Sequence, residues 1–122
     1  MILNNFYHIQ QQSKTADGLQ ASITINPEHK IFEGHFPGQP VVPGVCMIQI
    51  VKEFLEQSTL EKLIMTEATQ VKFLNIIVPN KEELIELNLK WKLADPKIWI
   101  VQATLAGKSG ICFKLNGEFR KS

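Results

Sequence analysis

GHFPGQPVVPGVCMIQ, residues 34–49, decides how this chain is read. Three glycines and three prolines surround a single histidine, His35. They give way to an almost wholly apolar run whose one polar side chain is the uncharged amide of Gln49. Pro37, Pro40 and Pro43 each hold φ near about −65° and disfavour helix in the residue before them. Gly38 and Gly44 permit close backbone approach, or φ values barred to other residues. A loop so restricted has little freedom left to lose, and it pre-positions His35. From Gly44 to about Gln57 proline and glycine disappear, and VCMIQIVKEFLEQ is long enough for about four helical turns. Pro43 stands at or just before the first turn, where its missing N–H costs nothing.

On both sides of this helix the period changes from 3.6 to two. Residues 6–12 and 19–26 read as strands joined by the turn Ala16-Asp17-Gly18, with Ala21, Ile23 and Ile25 alternating against polar neighbours. After Thr59 everything reads as sheet. Residues 63–78 are rich in β-branched and aromatic side chains. In 83–93, Ile85, Leu87, Leu89 and Trp91 share one parity; in 97–106, Trp99, Val101, Ala103 and Leu105 do. The last strand is 111–120, with Phe113, Leu115 and Phe119 on one parity. Turns fall at Pro79-Asn80, Asp95-Pro96 and residues 107–110. The layout is therefore two strands, one apolar helix and four long strands. A helix this apolar cannot lie on the surface. The sheet must wrap it, and its remaining exposed face is expected to meet a second subunit.

Composition sets the outer bounds. A chain of 122 residues predicts one domain, residues 1–122, with one core. Hydrophobic residues make up 44% and charged residues 20%, the balance of a folded globular chain rather than a disordered one. A net charge of +1 with singly scattered lysines gives no electrostatic reason to expect nucleic acid or an anionic membrane as partner. No apolar run reaches the roughly 18 residues needed to span a bilayer. The start, MILNNFYHIQQQ, lacks the basic segment and small-residue cleavage site of a secretory signal, so a cytoplasmic protein is expected. Cys46 and Cys112 lie far apart in apolar surroundings and read as buried reduced thiols rather than a disulfide or a metal pair. No metal and no cofactor are expected.

Gly34-His35-Phe36-Pro37-Gly38, then Pro40-Val41, then Pro43-Gly44-Val45, carry a resemblance to the 3-hydroxyacyl-(acyl-carrier-protein) dehydratases. Phe73 followed by Pro79 resembles that family's aromatic residue before a Pro-Gly-Asp turn, although Asn80 stands here in place of the glycine. The resemblance implies an α+β hotdog fold: a curved antiparallel sheet of about five to six strands wrapped around one central helix. It implies a thioester substrate on acyl carrier protein or coenzyme A. It also implies a homodimer or higher oligomer, or a heteromer with a related hotdog subunit. His35 takes the role of the base that removes the α-proton, for which an ordinary pKa of about 6.5 suits it. Gly44, at a helix start with unpaired N–H groups and a positive dipole end, takes the role of oxyanion donor. Phe36 and Val45 flank these as substrate-binding positions.

The family's third element is a helix carboxylate contributed by the partner subunit. Counting from Pro43-Gly44-Val45, that position is Gln49, and Glu53 stands one turn on, where the family commonly has a glutamine. The two residue types look exchanged. An amide hydrogen-bonds a hydroxyl but cannot hand over a proton. Gln49 therefore reads as a hydroxyl-binding group or as a structural amide. Glu53, about 6 Å further along the axis, reads as a displaced acid or, more simply, as a solvated helix end. His8 and His29 have no chemical company in the sequence and read as surface residues. Trp91 and Trp99 read as packing on adjacent strands. Two functions stay open: dehydration of a 3-hydroxyacyl thioester to the trans-2-enoyl thioester, in fatty-acid-like or polyene biosynthesis, or a weakened dehydratase-like subunit that binds acyl chains or carrier protein beside an active partner.

Overall fold

The period-two segments form one antiparallel sheet. In the computed structural model, which describes residues 4–34 and 38–122, the strands are β1 (Tyr7–Lys14), β2 (Gly18–Ile25), β3 (Leu63–Phe73), β4 (Ile85–Asp95), β5 (Ile98–Gly107) and β6 (Gly110–Lys121). Helix α1 (Gly44–Thr59) lies between β2 and β3 in the chain, preceded by one turn of 3-10 helix at Lys30–Phe32. The sheet order is β1-β2-β4-β5-β6-β3, with antiparallel pairs throughout. Both ends of the sheet are thus strands adjacent to α1 in sequence or one hairpin away. Among the described residues no helix is long and apolar enough to cross a membrane.

The side-chain parities fall as the sequence predicts. Ile85, Leu87 and Leu89 of β4 and Trp99, Val101, Ala103 and Leu105 of β5 are buried, while Glu86, Asn88, Lys90 and Gln102 are exposed. Register makes this consistent across strands, since Leu87 pairs with Leu105 and Leu89 with Ala103. Trp91 and Trp99 stand on adjacent strands, the second buried and the first packed at the core's edge. Onto this face α1 presses Cys46, Met47, Ile50, Val51, Phe54 and Leu55, a stripe at the i, i+3, i+4 spacing of one helical face. Each large side chain so buried contributes on the order of 1.5–3 kcal/mol. Gly18 opens β2 where no side chain fits, since a Cβ there would run into the Leu89 carbonyl. Cys46 and Cys112 are buried and unpaired, as expected.

Four expectations need correction. The third strand does not run to Val78. β3 stops at Phe73, and the chain leaves the ladder: the N–H groups of Leu74 and Asn75 both turn to the Cys112 carbonyl, and the Ile77 carbonyl takes the N–H of Val42. Ile76, Ile77 and Val78 are β-branched, yet the bond that the Ile77 carbonyl makes is to a loop residue rather than to a strand. The helix runs past Gln57 to Thr59 and ends on Leu60, whose φ of 59° is left-handed and whose N–H donates to the Glu56 carbonyl at 2.9 Å. α1 is also not apolar all round: Gln49, Lys52, Glu53 and Glu56 make a second, half-buried polar face. Finally, His29 has company. Its Nδ1 accepts the Ile31 N–H at 3.1 Å and caps the 3-10 turn, its Nε2 lies 2.9 Å from the Asn4 carbonyl, and its ring stands edge-on to Phe6.

Candidate active site

Helix α1 begins as the sequence suggests. Pro43 is the N-cap, with φ −63° and ψ 148°, and its carbonyl receives the N–H of Cys46 at 3.0 Å. The N–H groups of Gly44 and Val45 come before that first bond, at the positive end of the helix dipole. Gly44 leaves close room for an aromatic ring. A Cβ would stand 2.7 Å and 2.8 Å from two carbons of the Phe73 ring. Phe73 in turn leans on Phe113, ring centroids 5.3 Å apart. Val45 is 61% exposed. Next to Gly44 an apolar hollow is walled by Val42, Met47, Phe73, Leu74 and Ile76. His35 and Phe36, together with Pro37, lie outside the described residues.

One turn further along, the polar face of α1 carries Gln49 and Glu53 at i and i+4. Gln49 Nε2 donates to Glu53 Oε2 at 3.1 Å. The other carboxylate oxygen, Oε1, accepts the Tyr7 hydroxyl at 3.0 Å. Tyr7 comes from the start of β1 and is stacked on Phe54 of the helix, ring centroids 5.7 Å apart. Gln49 and Glu53 are therefore brought together, and the expectation of a solvated helix end at Glu53 is wrong: the side chain is half-buried between a helix and a strand.

Electrostatics follow from this placement. Burial holds the Tyr7 phenol well above its ordinary range, and the adjacent Glu53 charge and the bond to it add to the effect. Tyr7 thus remains a donor at any working pH. Burial, and behind it the Glu53 charge, pushes the Cys46 thiol up to about 11. Cys46 is a packing residue, not a nucleophile, because the thiolate is the reactive form. An ionised carboxylate can only accept, so Gln49 must turn its NH2 end toward Glu53. Among the described residues, that leaves its carbonyl oxygen for another donor. Among the described residues no group of three His, Cys, Asp or Glu side chains is arranged to hold a metal ion.

Tyr7 is the member of this cluster that sequence reading missed, and the register of β1 on β2 is what reveals it. It is the one tyrosine of the chain and it pairs in register with the buried Ile25, so it shares the inward face of the sheet. A tyrosine facing inward needs a partner for its hydroxyl.

Comparison with known proteins places this geometry. The family model for ApeI-like proteins, described as ApeI dehydratase, matches residues 10–109. A 3-hydroxyacyl-(acyl-carrier-protein) dehydratase FabZ of Acetivibrio thermocellus is 30% identical over 106 residues, covering 80% of this chain and 70% of the relative. A FabZ of Clostridium acetobutylicum is 29% identical over 75 residues, covering 56% of this chain and 52% of the relative, so the match spans about half the length of that protein. Among solved structures, the dehydratase heterocomplex ApeI:P from Xenorhabdus doucetiae superposes with a TM-score of 0.75 at 18% identity, covering 93% of this chain and 97% of that one. The six-stranded antiparallel sheet around one helix is thus the hotdog fold. Matched by the family model from β1 to the end of β5, the chain belongs to the ApeI-like dehydratase family.

Proposed function

We propose that this protein dehydrates 3-hydroxyacyl thioesters, carried on acyl carrier protein or coenzyme A, to the trans-2-enoyl thioesters. The thioester carbonyl oxygen would sit at the Gly44 N–H, where the helix dipole supports enolate charge as it develops. His35 would take the α-proton and, as imidazolium, return it to the departing 3-hydroxyl. The Cα–H and Cβ–O bonds break, the Cα–Cβ double bond forms, and water leaves. Gln49 would hold the hydroxyl in line through its carbonyl oxygen. The apolar hollow beside Phe73 and Met47 suits an alkyl or pantetheine chain. The single observation that carries this reading is the bonded Gln49–Glu53 pair on the helix that begins at Gly44. It supports Gln49 as the polar group at the position where the resemblance implies a carboxylate, its acceptor end unspent among the described residues.

The assembly would be a dimer, either of this chain or with a related hotdog subunit, so that each helix faces the other's loop. The exposed Val45 and the polar face of α1 support this. A second reading has one observation in its favour. The amide at position 49 cannot supply a proton, which suits a subunit that binds acyl chains or carrier protein beside an active partner. Incubation with 3-hydroxyacyl thioesters of graded chain length, monitored by enoyl absorbance, tests the enzyme reading. Activity is expected, and His35→Ala should reduce it by about 10²–10⁴-fold, the usual share of acid–base catalysis. An unchanged rate in that variant removes the assignment. An inactive wild type transfers it to the binding subunit. Sedimentation as a monomer at micromolar concentration would count against the dimer.

A further inference from the structure

We infer that Tyr7 is a positioning residue, which acts through Glu53 to fix the orientation of the Gln49 amide. The observations are geometric. Tyr7 and Glu53 are 46 residues apart in the chain, on different elements, yet their side chains meet at 3.0 Å. Gln49 meets the other oxygen of the same carboxylate at 3.1 Å. The tyrosine ring is not free to leave, since it lies flat on the buried Phe54. The three side chains therefore form a chain of donors and an acceptor that starts at a strand and ends at the candidate substrate-facing position.

Direction in this chain matters more than its strength. A free glutamine on a helix rotates, and its two ends exchange places at little cost, so it offers a hydroxyl group an acceptor and a donor in turn. A carboxylate beside it ends that choice, because only the NH2 end can bond to it. Glu53 has to be held still to do this. The Tyr7 hydroxyl, on the far oxygen, holds it in one rotamer. Burial keeps that phenol protonated, so it stays a donor. The result is a glutamine whose carbonyl oxygen is presented and whose second N–H is directed. This assigns Glu53 a role other than displaced acid: it is the anchor of the hydroxyl-binding group.

The inference rests on the dehydratase reading for its consequence, but not for its geometry, and two measurements separate the parts. The first is the side-chain NH2 pair of Gln49 in an amide NMR spectrum, identified by its loss in Gln49→Ala. Tyr7→Phe keeps the ring on Phe54 and removes only the hydroxyl. It is expected to move that pair toward the position of a free side-chain amide, and Glu53→Gln to move it at least as far. A pair that stays in place in Tyr7→Phe, with circular dichroism unchanged, overturns the inference. The second is a rate comparison on a 3-hydroxyoctanoyl thioester of coenzyme A. Tyr7→Phe should lower kcat by about 3–10-fold, the effect of one hydrogen bond, with little change in KM. In a Gln49→Ala background the same substitution should change kcat less than about 2-fold, because the group it positions is gone. An equal loss in both backgrounds shows a merely structural tyrosine and overturns the inference. A wild type with no activity removes the dehydratase reading alone, and the amide resonances then decide on the anchor.

Discussion

The two faces of α1 are built on different principles. One face, Cys46, Met47, Ile50, Val51, Phe54 and Leu55, is buried against the sheet and is apolar without exception. Its energy is non-directional, so an apolar side chain of similar volume serves it nearly as well. The other face carries Gln49 and Glu53 and depends on single hydrogen bonds of fixed direction. Its members contribute little to stability and much to the shape of the site. Tyr7 joins the two faces, with its ring on Phe54 and its hydroxyl on Glu53. Fold and function on this helix are therefore separable to a degree that substitution can measure.

The largest effect is expected on the apolar face. Phe54→Ala removes a fully buried ring and should destabilise the protein by about 3–5 kcal/mol, seen as a lower urea midpoint. If activity per folded molecule also collapses, the faces are not separable, because the Tyr7 ring has lost its support. On the polar face, Gln49→Ala should lower the dehydration rate by about 10-fold while stability changes by less than about 1 kcal/mol, the value of one partly exposed hydrogen bond. Gln49→Glu sharpens this further. It sets a second carboxylate one turn from Glu53, and like charges at i, i+4 repel. The expected result is no gain in rate and a small loss of stability. A rate increase would show instead that an acid is what position 49 lacks.

A smaller effect is expected where the two faces meet the loop. Gly44→Ala places a methyl group against the Phe73 ring, which is half-exposed and able to swing. Stability should fall by about 1 kcal/mol or less, in the range of mild overpacking. KM for a long-chain thioester should rise several-fold, because the ring walls the hollow beside the helix start. An unchanged KM would show that substrate does not pass there.

The smallest effect concerns Cys46, the residue of the apolar stripe that feels the Glu53 charge. Its thiol keeps its proton in the folded state up to about 11, whereas an unfolded chain loses it from about 9. Between these values the folded state binds the extra proton, so the contribution to stability is complete below about pH 9 and is lost as pH rises through 11. Cys46→Ala should therefore show a shallower decline in unfolding free energy over that range than wild type. Parallel declines would mean that burial does not hold the Cys46 thiol above its ordinary range.

Much of the fold is legible in the sequence because periodicity is a local property. The alternation Ile85, Leu87, Leu89 and the helical spacing of Met47, Ile50, Phe54 are fixed by the geometry of strand and helix, whatever lies opposite. The Pro43–Gly44 junction is equally local, since a missing N–H and a missing Cβ act on their own neighbours. These features determine the order of elements, the buried parities, the helix start and the two unpaired thiols. The end of β3 is different. Ile76 to Val78 has strand composition, and only the competing carbonyls and N–H groups of Cys112 and Val42 decide that it is a loop. The site divides in the same way. The sequence puts Gln49 and Glu53 on one helical face, but not which of them is buried or what each binds. Those depend on how far α1 is rotated over the sheet and on the register that sets Tyr7 opposite Ile25, quantities summed over every contact in the core. A hydrogen bond between residues 7 and 53 exists only once that packing is complete, and for that reason the tertiary structure alone decides which end of the Gln49 amide faces outward.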